Sequence, residues 1–226
     1  EFGTVWDTPS ANSINWSIVQ IRNNVTASAH YSTLGLTVDS GARLTFTGTN
    51  PVVTVGPLSI TNGTGFELIN TWYTELDGII DLQGESQFRQ TERSDLAVTS
   101  AGYLERDQQG TANNFTYNYW SSPVGDINAT ANNQNFALQD ILLDGTSVAS
   151  PGPIAWTVLA DADGSTSPFT ISTRWLYNSV NGADEDYEAW VYTGNTGTIS
   201  PGEGYTMKGV DAAGDVLEEQ NYVFRG

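Results

Sequence analysis

The chain of 226 residues contains no cysteine, one histidine and one methionine. Lys208 is the only lysine, and lysine plus arginine total 8 against 26 aspartates and glutamates. Each scarcity excludes something. Without cysteine there is no disulfide, no thiolate nucleophile and no thiolate-held zinc or iron–sulfur site. His30 stands alone in a polar stretch, and no Gly-x-Ser-x-Gly turn accompanies it. Ser–His catalysis is therefore not expected, and His30 reads as a surface or loop residue. Eight cations under a net charge of -18 cannot build the basic surface that nucleic acid requires, so no nucleic-acid partner is expected. No apolar run approaches the ~20 residues of a spanning helix, and no polybasic stretch suits an anionic lipid surface. Membrane insertion is not expected either.

What is present is a dense supply of aromatics, including 7 Trp and 10 Tyr, among short neutral side chains and 23 glycines. Aromatic and β-branched residues spread along the whole chain argue for an ordered core rather than disorder. The opening residues Glu1–Trp6 are not a basic segment followed by an apolar one. Either the protein is not exported or its leader has been removed. The surface composition favours export, so the expected location is extracellular or the cell surface.

The first half carries an internal repeat. Leu36–Leu44, Leu58–Phe66, Ile80–Phe88 and Leu96–Leu104 each place apolar residues at offsets 0, 2 and 8, with a glycine between. A weaker copy starts at Val19. Offsets 0 and 2 share one face of a strand, and a Gly- or Asn-rich corner can supply the turn. Starts separated by 16 to 22 residues match one turn of a right-handed parallel β-helix. The spacing predicts an N-terminal cap over 1–17 and coils over 18–110. A meander of antiparallel hairpins has the same alternation and stays open. After the polar break at Gln108–Asn114 the repeat is lost. Strands are expected near 115–120, 136–143, 153–160, 169–178, 187–193, 203–208 and 216–224, with no helix. Seven short strands between Gly-, Pro- and Asp-containing loops predict an antiparallel β-sandwich or jelly roll over 111–226. The last strand stops at Gly226, which reads as a domain truncated at its C-terminus. The fold class expected is thus all-β, a short parallel β-helix followed by a sandwich.

Three sets of residues could carry function. Tyr117, Tyr119, Trp120, Trp175, Tyr177, Trp190 and Tyr192 fall at alternate or adjacent positions within strands. Exposed in a row they would stack on sugar rings; buried they would be core. Asp161 and Asp163, followed by Gly164, alternate as in the opening of a calcium loop, though residue 172 is Ser where a bidentate Glu would be needed. Asp184 and Asp186 form a second acidic run. Calcium is the one cofactor these suggest, and an ordinary Asp/Gly turn explains them as well. Finally, Glu75, Asp77, Asp81, Glu85, Glu92, Asp95 and Glu105 lie with Arg89, Arg93 and Arg106 on the expected coils. They read as ion pairs between neighbouring coils, or as the two carboxylates of a glycosidase. Five Asn-x-Ser/Thr triplets, at Asn15, Asn24, Asn62, Asn114 and Asn128, are expected by chance in such a composition.

The runs Glu75–Gln87 (ELDGIIDLQGESQ), Leu104–Thr111 (LERDQQGT), Tyr117–Gly125 (YNYWSSPVG), Thr173–Tyr177 (TRWLY) and Pro201–Gly209 (PGEGYTMKG) cover much of residues 75–226. Together they resemble segments of large surface proteins of Bacteroidota, chiefly flavobacteria, adhesin-like cargo of the type IX secretion system. The resemblance implies an address at the cell surface and carries over no catalytic residue. Those proteins bear a C-terminal sorting domain that this sequence lacks, which fits a fragment. The leading expectation is a non-catalytic segment of a secreted or surface-anchored adhesin-like protein. Its partner would be an extracellular polysaccharide or neighbouring domains of the same protein. A carbohydrate-binding module and a polysaccharide-degrading enzyme on a β-helix are the alternatives.

Overall fold

The computed structural model of the chain describes residues 5–7, 13–15, 17–54, 59–126, 134–159, 168–179, 189–210 and 219–226. Among these, the regular structure is strand except for one four-residue helix and one 3-10 turn, so the chain is all-β. No described helix is long and apolar enough to cross a membrane. The strands up to residue 111 are β1 (Val5–Asp7), β2 (Ser13–Asn15), β3 (Ile18–Ile21), β4 (Val25–Ala27), β5 (Tyr31–Val38), β6 (Arg43–Phe46), β7 (Val52–Thr54), β8 (Ser59–Thr61), β9 (Glu67–Leu76), β10 (Ile79–Leu82), β11 (Gln87–Gln90), β12 (Asp95–Leu96) and β13 (Tyr103–Thr111). Two compact units emerge. Of the described residues, the first holds those up to Asn50 and Gly63–Glu105, so the division falls inside β13.

In the first unit the chain alternates between two parallel ladders. One runs β11-β9-β5-β3, with β12 also on β9; the other contains β10-β6-β4. Val19 pairs with Leu36, Leu36 with Thr74, and Thr74 with Leu96. In the second ladder Val25 pairs with Leu44 and Leu44 with Ile80. Alternation sends Leu36, Val38, Leu44, Phe46, Ile80 and Leu82 into one buried cluster. Burying each such side chain is worth about 1.5–3 kcal/mol.

The sequence repeat is real as a pattern but does not mark equivalent positions. Leu36 and Leu96 stand in the first ladder, whereas Ile80 stands in the second, opposite Leu44. The copy at Leu58 begins outside the described residues, and its Ile60 lies in an antiparallel hairpin, β7 with β8. The reason is that inward-facing pairs two residues apart occur in both ladders. Leu44/Phe46 and Leu36/Val38 carry the same signal, which does not encode the sheet. The hairpin interrupts the chain between β6 and β9 without disturbing either ladder. An antiparallel bridge between Thr49 and Thr64, with both N–H···O bonds at 2.9 Å and their hydroxyls 3.0 Å apart, closes its neck.

Corners stack backbone against backbone. Ile79 N–H donates to Ala42 O and Tyr103 N–H to Gly78 O. A Cβ on Gly102 would collide with the Gly78 carbonyl oxygen, and one on Gly78 with the Ala42 and Asp39 carbonyls. Inside the ladder, Asn70 is fully buried. Its amide donates to Thr33 Oγ1 at 3.3 Å and to Tyr73 O at 3.0 Å, and its carbonyl accepts from Ser94 Oγ at 2.9 Å. A register shift between Thr33 and Gly35 accompanies this contact.

The second unit continues with β14 (Tyr117–Ser121), α1 (Leu138–Ile141), β15 (Leu142–Asp144), β16 (Gly152–Pro153), β17 (Ala155–Thr157), β18 (Thr170–Ser172), a 3-10 turn (Thr173–Trp175), β19 (Tyr177–Ser179), β20 (Trp190–Tyr192), β21 (Gly204–Lys208) and β22 (Glu219–Arg225). One sheet runs β14-β21-β19-β20, antiparallel throughout. In the other, β16-β15-β22-β13, the pairs β15/β16 and β15/β22 are antiparallel. The strand expected near 169–178 is instead two short strands, β18 and β19, separated by the 3-10 turn, and two further features depart from the expected all-antiparallel, helix-free domain. Residues 138–141 form a helical turn, because Leu138 and Ile141, three apart, both reach the core on a turn of helix. The pair β17/β18 is parallel.

Candidate functional site

The sheet β14-β21-β19-β20 has two faces, set by strand alternation. Its inner face turns Trp120, Tyr205, Met207 and Asn178 inward, all buried. Trp120 is 4% exposed and packs on Tyr222 (centroids 5.5 Å, edge-on) and Phe224 (5.7 Å). Trp120 is therefore a core residue rather than part of a ligand platform. It neighbours Tyr119 in sequence, and adjacent strand residues point to opposite faces.

The outer face collects the other six predicted aromatics. Tyr117 lies opposite Lys208, Tyr119 opposite Thr206, and Thr206 opposite Tyr177, which in turn faces Tyr192. Trp190 lies opposite Ser179, and Ser179 opposite Gly204. These small residues leave room for the Trp190 ring, which reaches Tyr119 of β14 at 6.1 Å between centroids. Tyr177 and Tyr192 meet edge-on at 5.5 Å. Trp175 comes from the 3-10 turn. Ser172 caps that turn by accepting from Arg174 N–H, and Thr206 Oγ1 donates to Trp175 O at 2.9 Å. The Trp175 ring meets Tyr117 edge-on at 6.2 Å. Tyr119 is 75% and Tyr192 56% exposed, so the face is open to a ligand at two strands; Trp175, Tyr177 and Trp190 are half-buried.

One charged group joins them. Lys208 Nζ sits 3.9 Å above the Trp175 ring and 4.7 Å from the Tyr117 centroid, cation–π contacts with both. Burial against the rings lowers the ammonium pKa from its ordinary value. Burial raises that of the Tyr117 phenol, with the Tyr177 and Tyr119 hydroxyls adding to it. Sequence reasoning found the rings but not Lys208 or Thr206. The alternation in Gly204–Lys208 puts both on one face, but only strand pairing tells that Tyr117 and Trp175 surround the ammonium.

The acidic cluster disperses. Arg89 pairs with Glu67 at 3.1 Å, Arg93 with Glu92 at 3.9 Å, and Glu85 is exposed. Glu75, Asp77 and Asp95 surround Tyr73, whose phenol pKa rises through desolvation first and those charges second. Asp81 and Glu105 come together on Arg43, which sequence reasoning did not single out. Arg43 Nη1 lies 3.1 Å from Asp81 Oδ2 and 2.6 Å from Glu105 Oε2. Thr45 Oγ1 and Gln83 Nε2 also donate to Asp81 Oδ2, at 3.2 and 3.1 Å. Both carboxylates are buried, at 3% and 1% exposed, which suits an ion-pair network better than a substrate cleft. His30 is exposed; its Nδ1 accepts from Glu67 N–H at 3.0 Å.

Asp161, Asp163, Asp184 and Asp186 lie outside the described residues. Among the described residues no group of three His, Asp or Glu is arranged to hold a metal ion. No protein-family model matches the chain. Comparisons with curated proteins and with solved structures find no match either.

Proposed function

We propose that this chain is a non-catalytic segment of a secreted or surface-anchored, adhesin-like protein, and that it grips an extracellular polysaccharide through the outer face of β14-β21-β19-β20. In this reading residues 18–110 form a short parallel β-helix that presents an antiparallel sandwich over 111–226. The parallel registers of β3, β5 and β9 and of β4, β6 and β10 support the first part. Right-handed winding is the hand that strand–crossover–strand connections adopt. The antiparallel sheet β14-β21-β19-β20, packed through Trp120 on Tyr222 and Phe224, supports the second.

The observation that carries the binding role is the gathering of six aromatic side chains, from three strands and a 3-10 turn, on a single face with two of them more than half exposed. A core gains nothing from leaving Tyr119 and Tyr192 in water, whereas the C–H faces of pyranose rings stack on such surfaces. In affinity electrophoresis through a panel of soluble polysaccharides, the chain is expected to be retarded by at least one. Tyr119→Ala and Trp190→Ala should each weaken that binding by about fivefold, the equivalent of about 1 kcal/mol, with melting temperatures close to the parent. Migration unaffected by every polymer tested would sink the binding role.

A further inference from the structure

The aromatic face has one cation in it, and this suggests which sugar it reads. Resting on the polysaccharide-binding reading above, we propose that Lys208 recognises the carboxylate of an acidic sugar, a uronate, set among neutral sugars that stack on Tyr119, Trp190 and Tyr192. Among the described residues no ion pair holds Lys208; what sets it apart from the arginines is that its ammonium lies over two aromatic rings of the open face. In a chain with 26 acidic residues, the sole lysine is placed over two ring faces instead. The rings orient the ammonium and exclude part of its water, and among the described residues no carboxylate pairs with it. An arriving carboxylate therefore meets a cation that has already lost solvation, which strengthens the contact.

Charge also sets how acidic the polymer can be. At a net charge of -18 the protein repels a densely charged chain, and one ammonium offsets one carboxylate. Four strands spaced ~4.8 Å apart leave room for a few pyranose rings. The face thus fits one acidic unit flanked by neutral ones better than a uniformly sulfated polymer.

The test uses two sparsely acidic polymers of different backbone, glucuronoxylan and xanthan, each in native form and with its carboxyl groups reduced to alcohols. Binding of the full chain is measured by titration calorimetry. The native form of at least one pair should bind about fivefold more tightly than its reduced form, the range of a partly exposed ion pair. Lys208→Met keeps an apolar stem against the rings and should erase that preference, so that native and reduced polymer bind it equally. Tyr119→Ala should weaken both forms alike. Equal affinity for native and reduced polymer, or a preference that survives in Lys208→Met, overturns the assignment. So does binding confined to the reduced, neutral forms, which leaves the polysaccharide-binding reading standing. Binding to no polymer at all overturns both.

Discussion

At the scale of single residues, Asp81 is a buried carboxyl that the fold makes harder to ionise. Burial raises its carboxyl pKa above the ordinary 3.8, and the neighbouring Glu105 charge adds to this, against the opposing pull of Arg43 and Gln83. The sign of the pH effect follows. A raised folded pKa means that the native state holds the proton more firmly than the unfolded chain. Asp81 therefore contributes stability that is complete below 3.8 and is lost as pH rises through the folded value, opposite to an ordinary paired carboxylate. Asp81→Asn should remove that portion of the slope, which urea unfolding between pH 3 and 7 would reveal; an unchanged slope would refute the assignment. Arg43 has the reverse importance. Two buried carboxylates share its guanidinium, so Arg43→Met takes from both the cation they have in common. The expected loss is about 3–5 kcal/mol at neutral pH. It should shrink in acid as Asp81 takes up its proton.

Among the elements, the corners of the parallel ladders are the least forgiving. Gly102 lies against the Gly78 carbonyl with no space for a methyl group. Gly102→Ala is expected to cost about 1–3 kcal/mol, the scale of overpacking, while Gly152→Ala, where a Cβ meets nothing, should cost far less. Thermal melts of the pair would show equal losses if the corner were roomier than described. These corners also mark how far sequence reasoning reached. The 0/2 alternation of Leu36/Val38 and Ile80/Leu82 identified inward residues correctly, because alternation is a local property of a strand. Assignment of those pairs to one ladder failed, since pairing is decided by which chain segment returns beside which. The same limit applied to the site. Five of the six rings stand in strands as the spacing predicts and Trp175 in a 3-10 turn, while Trp120, beside Tyr119 in sequence, points to the other face, a change that adjacency hides. Lys208 gained its meaning only from its partners across β14 and the 3-10 turn.

For the molecule as a whole, the charge of -18 acts at a distance and Lys208 acts at contact. The two are separable by salt, because the Debye length falls from ~30 Å at 0.01 M to ~8 Å at 0.15 M. Raising salt over that range screens the repulsion between protein and acidic polymer more than the close ammonium–carboxylate contact. Affinity for native glucuronoxylan or xanthan, whichever binds, is therefore expected to rise with salt over this range. A steady fall would mean that local attraction outweighs the overall field.

The closed neck at Thr49 and Thr64 has a different kind of consequence. Because β5 finds β9 and β6 finds β10 across the intervening hairpin, chain length at this point is uncoupled from the geometry on either side. Lengthening such a loop costs only about 0.6 kcal/mol per doubling. The segment between Asn50 and Gly63 is thus a natural port for foreign sequence. Lengthening the chain between Thr49 and Thr64 is expected to leave the pairings of β5 with β9 and β6 with β10 in place.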